Sequence, residues 1–352
     1  MVLSMKIIPS PLENLNIVVI GGGTGSFTIL SALKYYSNNI KAIVNMVDDG
    51  GSTGVLRDEL GALPPGDVRQ CLVALSDSPK IRNLFNYRFD RGTFKGHSFG
   101  NIFLTALEKT SGSFREAVKT AGEILRINGE VIPATLDNAR LKMEWPHASI
   151  ILHNERVIYD EYFKHDPKRA ILSLVPEAKA NPDATLAIKE ADLIIIAPGD
   201  IYSSLGPLLV IKGISNAIIE NKKAKNVYLV NLVTKHGQTS GFTVSDHASE
   251  IERFVGTPFL DYVIYNEQIP SKNLARRYKA EQAFLVEIDN ENLNKQHYKA
   301  IAGKYLGKIA KRSDADTLLP SRSLIRHDAE SIVKDLINLL GNDKVAKNTT
   351  RR

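Results

Sequence analysis

Gly21-Gly22-Gly23-Thr24-Gly25-Ser26 follows the apolar run Leu15–Ile20 and precedes Phe27, Ile29, Leu30 and Leu33 at helical spacing. Strand, tight turn and helix in that order present backbone N–H groups and the positive end of a helix dipole to an anion. The glycines remove the Cβ atoms that would hold a phosphate off the backbone. The chemistry this predicts is binding of the phosphates of a nucleotide-type ligand. Written from Gly21, the GxGxxG dinucleotide pattern finds Ser26 in place of its third glycine. The plainer alternative is a glycine turn needed only for close strand-to-helix packing.

A second apolar run, Ile40–Val47, ends in Asp48 and Asp49, a position where an acid accepts from a ribose hydroxyl or holds a magnesium ion together with ligand phosphates. Gly50, Gly51, Ser52, Thr53 and Gly54 follow as a second flexible, hydroxyl-bearing anion loop, with Arg57 close behind. A solvated turn with an aspartate capping the next helix is the alternative. Pro64-Pro65-Gly66 makes a rigid turn with Asp67 as N-cap and Arg69 one turn into the helix, in reach of the same rim. His97 and Asn101 stand four apart, on one face of a helix beginning there and aimed into the cleft, although a backbone-satisfied histidine at a helix start explains His97 equally well. Gly199, Tyr202 and Ser203 follow the run Asp192–Ala197, and Asn231 and Thr234 follow Asn226–Leu232, so further strand ends converge on one rim. Ser245-Asp246-His247 reads as a helix cap with an incidental histidine. HExxH and Cys/His clusters are missing, which argues against a metal hydrolase, and no catalytic acid, base or nucleophile set can be assigned.

Two apolar strands separated by a helix of about a dozen residues make a βαβ unit with a right-handed crossover. The expected fold class is α/β: a doubly wound, mostly parallel Rossmann-like sheet with helices on both faces. Helices are expected from near Asp67, Lys80, His97 and Ser113, the last with a Ser113/Glu116 capping pattern. Between about 129 and 174 the pattern shifts to short alternating segments, with Ser149–Leu152 and Arg156–Tyr159 read as antiparallel hairpin strands of an inserted β-rich subdomain. Strands then resume at Asp192–Ala197, Asn226–Leu232 and Asp261–Tyr265. A last helix from Asp328 to Leu340 is expected to stop at Gly341, leaving 1–341 as a single nucleotide-binding domain and 342–352 as a basic, disordered tail.

With 352 residues and 43% hydrophobic content the chain has ample material for a core. The longest apolar runs fall short of a membrane span and the amino terminus does not read as a signal peptide, so the expected location is cytoplasmic. The single Cys71 has no disulfide or zinc partner and is expected in the core. The net charge is +6, of which Lys344, Lys347, Arg351 and Arg352 against Asp343 supply half. What remains suits an anionic small molecule, and no basic stripe interleaved with aromatics suggests nucleic acid. Oligomeric state is open, a homo-oligomer included.

The string Val19-Ile-Gly-Gly-Gly-Thr-Gly25, Val47-Asp-Asp-Gly-Gly-Ser-Thr-Gly54, Pro64-Pro-Gly-Asp-Val-Arg69, Gly96-His-Ser-Phe-Gly-Asn101, Ala197-Pro-Gly199, Tyr202 and Ser245-Asp-His247 resembles the YvcK-like branch of the CofD-like family over roughly residues 15 to 290. The resemblance implies a nucleotide-diphosphate ligand. Relatives in this branch are gluconeogenesis factors that bind UDP-sugars and support cell shape, cell-wall formation and growth on gluconeogenic carbon. The CofD branch transfers phospholactate from a nucleotide carrier to a deazaflavin, which makes a magnesium-dependent phosphotransferase the alternative. Two positions depart from the family's pattern: Ala197-Pro198-Gly199-Asp200 stands for Gly-Pro-Gly-Ser, and Thr234-Lys235-His236-Gly237 for Thr-Gln-Pro-Gly. Asp200 thereby brings a negative charge close to an anion site.

Overall fold

A computed structural model describes residues 7–280, 282–309 and 325–349. Its main sheet has seven strands: β1 (Ile17–Gly21), β2 (Ile40–Val44), β3 (Glu130–Pro133), β7 (Leu193–Ile196), β8 (Lys225–Leu229), β9 (Tyr262–Asn266) and β10 (Lys299–Gly303). They are wholly parallel and lie in the order β10-β9-β8-β7-β1-β2-β3. Three strands between β3 and β7, namely β4 (Arg140–Trp145), β5 (Ile150–His153) and β6 (Ile171–Val175), form a separate antiparallel sheet in the order β5-β4-β6. A short antiparallel pair, β11 (Leu306–Ile309) with β12 (Ile325–His327), follows β10.

Strand alternation divides the core. Ile17 and Val19 of β1 with Ala42 and Val44 of β2 point to one face, where the helices Gly23–Leu33, Gly66–Leu75, Phe99–Ser111, Phe114–Leu125 and Ala329–Thr349 pack. Val18, Ile20 and Ile43 point to the other, which carries the inserted sheet and the helices Pro182–Glu190, Lys212–Glu220 and Val244–Val255. A parallel sheet covered on both faces needs apolar residues at successive positions, which is why β7 reads Leu-Ile-Ile-Ile and is buried throughout. Cys71 is fully buried on the first face, as expected. From β1 the chain progresses outward through β2 and β3, then returns to β7 on the other side of β1 and progresses through β8 to β10. The order therefore reverses between β1 and β7.

Several expectations are corrected. β3 belongs to the main sheet, pairing with β2, so the insertion proper begins after it. Arg156–Tyr159 is not a strand: Glu155–Asp160 is a short helix. Asn154 at φ 74° breaks the extended chain after β5, and β4 already has β5 on one edge and β6 on the other. The last helix runs through Gly341 to Thr349, since an internal glycine costs only about 1 kcal/mol and Lys344, Ala346 and Lys347 beyond it favour helix. Residues 350–352 of the expected tail lie outside the described residues. Among the described residues no single helix is long and apolar enough to cross a membrane; the pair Ile201–Leu209 and Lys212–Glu220 passes only together and is bent by 70°.

Candidate functional site

The reversal between β1 and β7 leaves a crevice beyond the carboxyl ends of the strands, the place where open α/β sheets bind ligands. Here it is a cleft of about 590 Å³, lined by Gly22, Gly23, Thr24 and Gly25 from the end of β1. The helix that begins at Gly23 has Gly22 as its N-cap, so the capping residue offers no side-chain acceptor, and its first turn carries no acid. Gly23 adopts φ +58°, and a Cβ on Gly22 would lie 2.2 Å from the Asp67 carboxylate. Gly25 takes the close-packing role that the dinucleotide pattern assigns to position 26. Its Cα faces the turn after β7, and a Cβ there would lie 1.7 Å from the Pro198 carbonyl oxygen. Gly21 ends the buried strand and does not line the cleft, and Ser26 is buried behind it.

Only part of the second loop faces this space. Asp48 and Gly50 line the cleft; Asp49 does not. Its carboxylate accepts from the Arg156 backbone N–H at 2.7 Å and lies 3.6 Å from Arg140 on β4, tying the loop to the insertion. Gly51, Ser52 and Thr53 form the first turn of a helix, Gly51–Leu60, rather than a flexible anion loop. Thr53 is buried near Gly66, whose added Cβ would meet its hydroxyl at 2.5 Å. Arg57 is buried and donates to the carbonyls of Val47, Asp48 and Ala139 and to Asn138 Oδ1, so it braces the loop from behind. Behind the loop the structure also gathers Ser52, His97, Asn101 and Arg69. Ser52 Oγ is 3.0 Å from His97 Nδ1 and accepts from Asn101 Nδ2 at 3.3 Å, while Arg69 Nε donates to Asn101 Oδ1 at 2.9 Å. The expected four-residue relation of His97 and Asn101 is real in space. It serves this brace and not the cleft, because Ser98 caps the helix and His97 precedes it.

The turns after β7 and β8 form the opposite wall. Gly199 and Asn231 line it, and Asn231 spends both ends of its amide on Gly199, accepting from its N–H at 2.9 Å and donating to its carbonyl at 2.8 Å. Thr234 also lines the cleft, with its hydroxyl accepting from Phe284 N–H. Tyr202 and Ser203 are fully buried and away from it; the Tyr202 hydroxyl donates to Glu250 at 3.0 Å, and burial with that carboxylate pushes its pKa up. Asp200 accepts from the N–H groups of Tyr202 and Ser203 and pairs with Lys235 at 2.8 Å. Ser245-Asp246-His247 lies in the helix Val244–Val255 behind a Thr243/Asp246 capping box, and His247 is wholly buried with its pKa lowered to about 4.

Sequence reasoning missed the roof and the far end. Glu155, Arg156, Tyr159 and Asp160 of the short inserted helix line the cleft from above, and Tyr278, Ile325, Arg326 and His327 line it beyond β8. Glu155 reads in the sequence as part of a hairpin turn, and a three-residue strand such as β12 leaves no periodicity to detect. His327 Nε2 meets the Val230 carbonyl at 3.0 Å, which fixes β12 against the end of β8. Burial, then the carboxylates of Asp48, Asp49, Asp200 and Asp67, push the Glu155 pKa well up. Among the described residues no three His, Cys, Asp or Glu side chains are grouped to hold a metal ion. With Asp49 turned away, the expected Asp48/Asp49 pair does not fit a magnesium ion, which would need Asp48 together with oxygens from the ligand's phosphates.

The sheet order, the glycine turn and the cleft define a Rossmann-like α/β protein with a glycine-rich turn at its topological switch point. The chain belongs to the CofD family: residues 17–306 match the family described as 2-phospho-L-lactate transferase CofD. Within it, the chain is 38% identical over 331 residues to the "Putative gluconeogenesis factor" of Clostridium acetobutylicum, covering 94% of this chain and 70% of that one. It is 35% identical over 333 residues to the "Gluconeogenesis factor" of Bacillus subtilis, covering 92% and 98%. A crystal structure of a UPF0052 family protein from Bacillus halodurans superposes with a TM-score of 0.81 at 32% identity, covering 92% of this chain and 99% of that one.

Proposed function

We propose that the cleft binds a nucleoside diphosphate sugar, with a UDP-sugar as the first candidate. The chain would then serve as a ligand-sensing protein in the regulation of carbon metabolism, cell shape and cell-wall formation. The observation that carries this reading is the uncapped helix start at Gly22–Gly25, which opens at the switch point onto about 590 Å³, a volume suited to a nucleotide-sized ligand. The diphosphate would sit on the N–H groups of the glycine turn. Arg326, on the β8 side of the cleft, supplies a cation that the turn lacks. Titration calorimetry with UDP-N-acetylglucosamine, GDP and NAD, with and without magnesium, tests the reading. Heat from the uridine nucleotide alone is expected, reduced at least about tenfold in affinity by Arg326→Met. A wild-type protein silent to every uridine nucleotide overturns it.

One observation favours a second reading, group transfer from a nucleotide carrier as in the family's transferase. Glu155 lines the cleft with its pKa pushed up by burial and by the neighbouring aspartates, which suits a carboxyl that gives a proton to a leaving oxygen. Product formation from a deazaflavin acceptor is the assay, and inactivity with nucleotide bound counts against it.

A further inference from the structure

The cleft is acidic for a site meant to hold a diphosphate. Its lining includes Asp48, Asp67, Glu155, Asp160 and Asp200 against the cations Arg156, Lys235 and Arg326. Arg156 is committed to Asp160 through Nε at 2.7 Å. Lys235 is committed to Asp200, Nζ to Oδ2 at 2.8 Å, and its ammonium lies 3.2 Å from the centroid of the Tyr159 ring in the roof. Asp200 and Lys235 come from different strand-end turns, those after β7 and β8. In space the two are one feature, a charge with its opposite beside it.

We propose that the Asp200–Lys235 pair sets the charge selectivity of the cleft: Lys235 cancels the Asp200 carboxylate, and this cancellation is what allows a polyanionic ligand to settle beside the glycine turn. The proposal rests on the nucleotide reading of the same cleft and names the residues that tune it. Asp200 cannot escape its charge by protonation. Burial opposes ionisation, but Lys235 and the N–H of Ser203 outweigh it and hold the carboxyl below its ordinary range. An uncancelled carboxylate here would act on the ligand through a partly desolvated site, where charges interact far more strongly than in water. Lys235, for its part, is a positioned cation. Tyr159 stacks on it, and Gln238, three residues on, donates to the carbonyls of Ile158, Tyr159 and Glu161 at the end of the roof helix.

The test is a charge cycle of wild type, Asp200→Asn, Lys235→Met and the double variant, titrated with inorganic pyrophosphate and with UDP-N-acetylglucosamine, and with thermal unfolding of each protein. The Asp200→Asn side chain retains an oxygen for the Tyr202 and Ser203 N–H groups, which keeps that variant folded. Lys235→Met is expected to weaken both anions about tenfold or more, Asp200→Asn to tighten them, and the double variant to recover most of the loss. Equal weakening in both single variants without recovery in the double would make the pair a structural latch and overturn the proposal, as would affinities that ignore all the substitutions. A wild type that binds pyrophosphate but no uridine nucleotide, with pyrophosphate following the charge cycle, removes the nucleotide-sugar reading and leaves the charge selectivity standing. If wild type binds neither anion, both fall.

Discussion

Gly25→Ala probes how the glycine turn after β1 is held. The added Cβ would lie 1.7 Å from the carbonyl oxygen and 2.7 Å from the carbonyl carbon of Pro198. Both are backbone atoms, so no rotamer change relieves the clash. Carbon contacts become favourable at about 3.5 Å, which means the helix start and the turn after β7 must part by roughly 1.5 Å or more. Forcing a methyl into such a space costs about 1–3 kcal/mol, and alanine returns up to about 1 kcal/mol as a better helix residue than glycine. Urea unfolding should therefore show a net loss of about 1–2 kcal/mol. Affinity for the proposed diphosphate ligand should fall by about tenfold or more, because the N–H groups of the turn move by over an ångström while the Pro198–Gly199 wall opens. Gly61→Ala is the control: φ is +59° but nothing lies within 4 Å of its Cβ. It should lose about 1 kcal/mol from backbone strain and no affinity. A Gly25→Ala protein with wild-type midpoint and wild-type affinity would refute the claim that close approach of β1 and β7 shapes the site.

Arg57→Ala should cost about 3 kcal/mol or more in urea unfolding, because it strands the carbonyls that the buried guanidinium satisfies; lost affinity with intact stability would mean that it contacts ligand instead. Lys34 is buried with Nζ donating to the Ser76 carbonyl at 2.6 Å, and burial, then Arg82, lower its pKa from 10.5 to about 8 against the pull of Asp77. Between about pH 8 and 10.5 the unfolded chain holds a proton that the folded chain has released, so stability rises with pH through that window. Relative to Lys34→Met the wild type should gain up to about 3 kcal/mol there, and a pH-independent difference would contradict the burial of the charge. His247 works at the acid end. Its folded pKa of about 4 lies below 6.5, so the unfolded state takes up the proton first and stability falls as pH drops from 6.5 toward 4. His247→Gln should flatten that limb of an acid-unfolding curve, and an unchanged limb would assign the loss to other groups.

Much of this molecule is written locally. The run Ile17–Gly21, the glycines after it and the apolar spacing of the next helix encode a strand, a turn and a helix start whatever surrounds them, because backbone conformation and side-chain period are short-range properties. The same holds for β2, β7, β8 and β9, and for the convergence of their ends on one rim. The direction in which a polar side chain points is not local. Asp48 and Asp49 are neighbours of like chemistry, yet one faces the cleft and the other turns to Arg156 and Arg140, because the inserted helix and sheet pack on that side. Arg57, Arg69, His97 and Asn101 have the residue types of an anion site and are drawn into braces by partners 9 to 82 positions away in the chain. Glu155, Lys235 and Arg326 reach the cleft only through long-range packing of the insertion, the β8 turn and β12. Residue order alone therefore dictates a parallel α/β sheet with a glycine-rich turn at its centre. Which charges share the cleft with that turn is settled by packing in three dimensions, since charge acts across space and the chain orders residues along one dimension.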